Sequence, residues 1–308
     1  LNLIFYIVFT PIISVTLTKV MFMSENNMIV GDAIQRIDGL LAIKSLPETS
    51  KPVEPKDNSI AFENVTFAYD NSESNAIDGI SLNVKAGETV ALVGPSGGGK
   101  TTAAGLIARF WDVTSGEIKV GGVNVKDISK KKLNDIVAYV FQDSMLLKTS
   151  IYENVRMGRP SASREEIMEA LHNAQCDEIL AKFPQGADTV IGAKGVYLSG
   201  GEQQRIAVAR VMLKYAPILV LDEATAFADP ENEAAMQRAF EKLAEGRTVV
   251  MIAHRLTTVQ NADRIYVLKE GKIAEQGTHE QLMAKKGIYN DMYEEYRTAV
   301  TWKVGGVR

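Results

Sequence analysis

The apolar run Thr89–Val93 opens directly into Gly94-Pro95-Ser96-Gly97-Gly98-Gly99-Lys100-Thr101, and a helical pattern follows through Phe110. This is G-x-x-x-x-G-K-[ST] in the strand–loop–helix setting that gives the pattern its meaning. No other stretch constrains the fold as tightly. Glycines let backbone N–H groups turn inward as an anion nest, and the helix that follows aims its positive end at the same place. Lys100 adds a point charge for the β- and γ-phosphates of a nucleotide, and Thr101 offers a hydroxyl to Mg²⁺. Gly94, Ser96, Gly97, Gly98, Gly99 and the adjacent Thr102 complete the expected contact set. A glycine-rich turn without a ligand is the bland alternative; the bare pattern arises by chance in about one chain of this length in a hundred.

From Ile60 onward short apolar runs alternate with helical patterns, the order of an α/β fold with a largely parallel sheet. Ile60–Tyr69 and Thr248–Ala253 read as strands, and Ile265–Lys269 with Lys272–Glu275 as a hairpin turning at Glu270-Gly271. Ile218-Leu219-Val220-Leu221 reads as a buried central strand that ends in Asp222-Glu223. Asp222 is placed to reach Mg²⁺, and Glu223 to orient or deprotonate an attacking water. The pair could instead cap the next helix, but adjacent carboxylates beside an apolar run are unfavourable unless cations neutralise them. His254 follows Thr248–Ala253 at the same sheet edge. Alone it reads as a turn residue; with Glu223 in place it reads as a group that polarises a γ-phosphate. Thr278-His279-Glu280-Gln281 is a capping box with a structural His279, Ile288–Val304 is a C-terminal helix, and Cys176 is a buried apolar residue.

Lys and Arg number 34 against 38 Asp and Glu, a net charge of −4, so there is no basic surplus for a nucleic-acid backbone. The single Cys176 makes no intrachain disulfide, and His172, His254 and His279 have no metal-ligand spacing. The apolar residues are unevenly placed. Leu1–Thr18 carries no charge and apolar character continues to Met23, which reaches the ~20 residues of a bilayer-spanning helix. Hydroxyls such as Thr10 and Ser14 can satisfy backbone groups freed by Pro11. A secretory signal is disfavoured by the lack of a basic start and a small-residue cleavage site, and a buried soluble helix is the other reading. Met28, Ile29, Ala33, Ile34, Ile37, Leu40 and Leu41 then recur at helical spacing, an amphipathic stalk that ends near Leu46 before Pro47. The expected organisation is a membrane helix and stalk over 1–46, a polar linker over 47–58, a nucleotide domain over 59–286 and a C-terminal helix over 287–308. Met21, Met23 and Met28 are expected to pack at the membrane exit, and the start at Leu1 suggests the C-terminal part of a longer chain.

Leu198-Ser199-Gly200-Gly201-Glu202-Gln203-Gln204-Arg205 resembles the signature motif of ATP-binding cassette (ABC) ATPases. Ser199 and the two glycines open a helix beginning near Glu202, so backbone amides and a hydroxyl form a second anion site. The resemblance covers about residues 60–285, with the family's motifs in order. It implies a P-loop NTPase: a RecA-like mixed sheet core, an N-terminal antiparallel β subdomain and a helical subdomain over about 148–214. It also implies ATP and Mg²⁺. Tyr69 would stack on adenine, although a strand-end aromatic also suits the core. Gln142, in Tyr139-Val140-Phe141-Gln142-Asp143, would contact Mg²⁺ and the attacking water. Glu223 would be the catalytic glutamate, His254 the switch histidine and Asp229 the D-loop aspartate. Ser199, Gly200, Gly201 and Glu202 would serve the ATP of a second half-transporter subunit, so that a homo- or heterodimer sandwiches two nucleotides.

Two stretches depart from the family pattern. Ala226-Phe227-Ala228-Asp229 keeps the aspartate among different neighbours and is similar to siderophore-type members of the exporter-fold group. Thr189-Val190-Ile191-Gly192-Ala193-Lys194-Gly195 lacks the two acids usual before the signature, so contacts from that loop to a membrane domain do not transfer. In exporter-type half-transporters the last transmembrane helix runs through a stalk and linker into the cassette, and residues 1–57 resemble that arrangement. Met23 onward would then be cytoplasmic, the protein multi-pass in a cell membrane, and the other helices outside this chain. Soluble ABC ATPases of chromosome maintenance or translation are the alternative; they insert a long coiled coil between the two motifs or carry two cassettes. A P-loop kinase leaves Leu198–Arg205 unexplained.

Overall fold

The computed structural model describes residues 2–42, 45–70, 72, 74–141, 145–192, 195–222, 230–253 and 256–305. The chain divides into two compact units, Leu1–Pro47 and Glu48–Arg308.

The first unit is α1 (Asn2–Leu41), a 40-residue helix that continues through Pro11. Its apolar stretch has a mean hydropathy of 1.9 and is long and apolar enough to cross a membrane. Large apolar side chains are exposed all along it, Met21, Met23 and Met28 among them. Thr10, Thr16 and Thr18 donate their hydroxyls to the carbonyls of Tyr6, Ile12 and Ser14, four residues back, at 2.7, 2.7 and 2.9 Å. These side chains thus turn their polarity onto the helix itself and leave its surface apolar. The helix stops at Leu41, short of the expected end near Leu46.

The second unit begins with β1 (Ile60–Phe67), β2 (Ile77–Val84) and β3 (Thr89–Val93), the last feeding α2 (Lys100–Ile107). Next come β4 (Ser115–Val120), β5 (Val123–Asn124), α3 (Lys130–Ile136) and β6 (Val137–Val140). A helical region follows with α4 (Ile151–Arg156), α5 (Arg164–Asn173), α6 (Asp177–Ala181) and α7 (Gly200–Lys214). The chain returns through β7 (Ile218–Asp222), α8 (Pro230–Ala244), β8 (Thr248–Ile252), β9 (Arg264–Lys269) and β10 (Lys272–Gly277). It closes on α9 (His279–Lys285) and α10 (Ile288–Gly305).

One sheet is antiparallel, in the order β2-β1-β4-β5; the other runs β10-β9-β3-β8-β7-β6 and is parallel from β9 to β6. The difference is written in the residues. β1 alternates, burying Ile60, Phe62, Val65 and Phe67, with an irregularity between Phe62 and Val65. β7 is buried at every position, the pattern of a strand covered on both faces. The mixed sheet with an antiparallel companion is the architecture the sequence led us to expect. α2 packs in the core the two sheets share, through Ala103, Ala104, Leu106 and Ile107.

α2 ends at Ile107, before the expected Phe110. Arg109 adopts φ +54, its N–H donates to Leu106 O and the Phe110 N–H to Gly105 O, both at 3.1 Å. That is a left-handed helix stop, with an arginine where glycine is usual. The polar segment before β1 lies against the sheet region: the Val53 N–H donates to Asp127 O at 2.9 Å, and Lys132 pairs with Glu54 at 2.6 Å. At the other end the buried Glu275 carboxylate accepts from the N–H groups of Ile288 (2.9 Å) and Tyr289 (3.1 Å), capping α10 from β10. The Thr278 capping box is formed with Gln281, and His279 Nδ1 lies 2.8 Å from the Tyr289 hydroxyl.

Candidate functional site

The phosphate loop leaves β3 and closes onto its own helix. Gly94 has φ +142, and a Cβ there would stand 2.0 Å from Leu268 O, so only glycine lets the loop pass the end of β9. Gly97 has φ +76 and faces open space, with nothing within 4 Å of a Cβ. Gly98 is buried, its N–H donating to Pro95 O at 3.1 Å and its carbonyl accepting from Gly271 at 3.3 Å. Gly99 has φ +97 and leads into α2, whose Ala103 N–H returns to Gly99 O at 2.8 Å. Lys100 is buried, and its Nζ donates to Gly94 O at 3.0 Å and Pro95 O at 2.9 Å. Pro95, Ser96 and Thr101 are exposed and Thr102 is buried. A buried ammonium, a helix N-terminus and an open glycine concavity on one loop fit a polyphosphate.

Register brings the second set of groups to the same edge. Leu92 on β3 is level with Ile252 on β8, which is level with Asp222 on β7. Val140 on β6 pairs with Leu221, so Phe141 leaves the sheet beside Asp222. The strands that bear the loop and Asp222 are separated by β8 alone. Asp222 is buried and accepts from the Tyr139 hydroxyl at 3.1 Å. Burial, then the neighbouring Asp222 charge, raises the Tyr139 phenol well above its ordinary range, so it remains a donor. Gln142, Glu223, Asp229 and His254 lie outside the described residues. An oxygen set of the Thr101 hydroxyl and the Asp222 carboxylate suits Mg²⁺, which is held by few protein ligands together with substrate phosphates.

Tyr69 sits just past β1, 40% exposed, with its hydroxyl 2.9 Å from Thr102 Oγ1. Its ring meets Phe67 and Trp111 edge-on, at 5.0 and 5.3 Å between centroids. Trp111 touches Phe110 at 6.0 Å, Phe110 touches Tyr139 at 5.4 Å, and Tyr139 stacks on Phe141 at 4.3 Å. A continuous aromatic band therefore joins Tyr69 to the partner of Asp222. The sequence reading named Tyr69 and missed Phe110, Trp111 and Tyr139. The available signal was two adjacent aromatics directly after the phosphate-loop helix.

The signature residues build a separate helix start. Ser199 caps α7, accepting from the Glu202 N–H at 3.3 Å, while Glu202 Oε2 accepts from the Ser199 N–H at 2.7 Å. Ser199 and Gly200 are exposed, Gly201 and Glu202 buried. Lys182, which caps the end of α6, reaches Glu202 Oε1 at 2.6 Å. Burial alone would raise the Glu202 carboxyl, but Lys182 and the Ser199 amide and hydroxyl outweigh it and hold it below the ordinary range of a glutamate. Further along α7, Arg210 donates to Asn154 O (2.7 Å), Asn154 Oδ1 (3.0 Å) and Met145 O (3.3 Å). Asn154 is fully buried and also bonds Leu147 through both N–H and C=O, at 2.8 and 3.0 Å. The helix that carries the signature is thereby tied to residues 145–147. Cys176 is buried, and desolvation pushes its thiol up to about 12, so it is inert.

A glycine loop between a parallel strand and a helix, with a carboxylate at the same edge one strand beyond the neighbour, defines a P-loop NTPase domain. Residues 77–226 match the family model described as ABC transporter, and this part of the chain is a domain of that family. A multidrug export ATP-binding/permease protein of Staphylococcus aureus is 44% identical over 244 residues, which cover 79% of this chain and 42% of that protein. A homologue from another strain of the same species is 43% identical over the same length. A bacterial Atm1-family ABC exporter solved with ATP bound superposes with a TM-score of 0.79 at 36% identity, over 86% of this chain and 47% of the other. The chain thus spans less than half the length of these relatives.

Proposed function

We propose that this chain is the ATP-binding and ATP-hydrolysing part of an exporter-type ABC transporter, with α1 as the last transmembrane helix and the second unit in the cytosol. The observation that carries the reading is the shared sheet edge: the loop that holds Lys100 and the strand end that holds Asp222 lie level across β3, β8 and β7. Loop amides and Lys100 bind the β- and γ-phosphates, Thr101, Asp222 and Gln142 would hold Mg²⁺, and Tyr69 supports the adenine. Bound Mg²⁺ would supply charge neutralisation at the β- and γ-phosphate oxygens. Glu223 orients and deprotonates the attacking water, and His254 donates to the γ-phosphate side. Ser199–Glu202 meet the nucleotide of a partner subunit, and Asp229 would serve as the D-loop aspartate. Closure on ATP and reopening after hydrolysis drive the membrane helices, because ATP favours the closed state and its products do not.

The test is nucleotide binding and turnover by the full chain in lipid nanodiscs. Lys100→Ala is expected to weaken ATP binding itself, and unchanged affinity would count against the loop's role. Carbonate extraction is expected to leave the protein in the membrane fraction. Recovery in the soluble fraction would favour a soluble ABC ATPase instead.

A further inference from the structure

The N-terminus of α7 holds an electrostatic conflict. Helix starts attract anions through unpaired N–H groups and the helix dipole, and Ser199, Gly200 and Gly201 present such a start. Glu202, at the third position of the same turn, places a full negative charge there. The carboxylate is fixed: its side chain is 9% exposed, with Oε2 on the Ser199 N–H and Oε1 on the Lys182 ammonium. Lys182 comes from a different helix, twenty residues earlier, and is itself 58% exposed, so it contributes charge without being needed to fill space.

We propose that Lys182 is a positioning residue for the second nucleotide site: it neutralises Glu202 so that the start of α7 accepts the γ-phosphate of a partner's ATP. The inference rests on the proposed role of Ser199–Glu202 in binding that nucleotide. With the ammonium present, the pair carries no net charge and the helix dipole and amides set the sign of the site. Without it, Glu202 stays in place through its backbone bonds and repels the incoming phosphate. A lysine at the C-terminus of α6 also favours that helix through its dipole, and the test must separate the two roles.

The experiment measures ATPase rate against ATP concentration for the full chain in nanodiscs, at low and high salt, for wild type, Lys182→Ala, Lys182→Met and Lys182→Arg. Thermal midpoints are followed in parallel. Lys182→Ala is expected to raise the KM for ATP about three- to tenfold at low salt, with little change in kcat, and the effect should shrink as salt screens it. Lys182→Arg should keep the wild-type KM, and Lys182→Met, which keeps the stem without the charge, should match Lys182→Ala. An unchanged KM in Lys182→Ala would overturn the proposal. So would a Lys182→Met variant with the wild-type KM, since the charge of Lys182 would then play no part. Loss of ATP hydrolysis in the wild-type chain would overturn the functional reading itself, and is distinguishable because it precedes any comparison of variants.

Discussion

The Tyr139 hydroxyl donates to Asp222 Oδ2 across 3.1 Å, from β6 to the end of β7. Asp222 is buried, so this bond fixes which way one of its oxygens faces. Tyr139→Phe keeps the ring, and with it the contacts to Phe110 and Phe141, but removes the donor. The unfolding free energy is expected to fall by about 1–2 kcal/mol. The Mg²⁺ concentration for half-maximal ATPase should rise several-fold, while ATP binding in EDTA stays as in wild type. A Mg²⁺ titration superimposable on wild type would show that Asp222 needs no such orientation.

Gly94 and Gly97 belong to one loop and have different reasons for being glycine. A Cβ at Gly94 meets a backbone carbonyl at 2.0 Å, whereas one at Gly97 meets nothing within 4 Å. Gly94→Ala is expected to destabilise the domain by about 3 kcal/mol or more, since β9 cannot retreat. Gly97→Ala should lose only about 1–2 kcal/mol from its left-handed backbone, yet should impair nucleotide binding, because its Cβ stands in the open concavity. Urea unfolding and nucleotide titration together check the contrast.

α10 hangs on a cap that is not local. Glu275→Ala removes the acceptor of the Ile288 and Tyr289 N–H groups and is expected to cost about 1–2 kcal/mol. Hydrogen exchange should quicken at residues 288–292 before it changes in the sheet. Equal protection in the variant would mean that Tyr289, buried beneath the helix, suffices as the anchor.

The Glu202 carboxyl gives a pH dependence of definite sign. Its folded-state pKa is held below that of an ordinary glutamate, so its contribution to stability is complete above the ordinary carboxylate range and is lost as pH falls through the folded value. Glu202→Gln should therefore lower the urea midpoint near neutral pH and converge on wild type in acid. A gap between the two proteins that widens on acidification would contradict the assignment.

What the sequence revealed is what short-range rules encode. The phosphate loop needs glycine at fixed offsets, β7 is an unbroken apolar run, and the caps at Ser199 and Thr278 lie three residues from their partners. α2 is shorter than its helical pattern, because nothing in its composition marks Arg109 as a left-handed stop. Tyr139 with Asp222, Lys182 with Glu202 and Asn154 with Arg210 are separated by 83, 20 and 56 residues. Each pairing exists only because strand order and helix packing bring the partners together, and no spacing rule reaches that far. The readings of Gln142, Glu223, Asp229 and His254 remain those of the sequence, since these residues lie outside the described ones.

The central claim is that the edge formed by β3, β8 and β7 hydrolyses the nucleotide its glycine loop binds. The most direct measurement compares ATP affinity and steady-state turnover of wild type and Glu223→Gln in the full chain. If Glu223 handles the attacking water, affinity is retained and turnover falls by ~100-fold or more. Near-normal hydrolysis by Glu223→Gln, at unchanged affinity, would contradict the account.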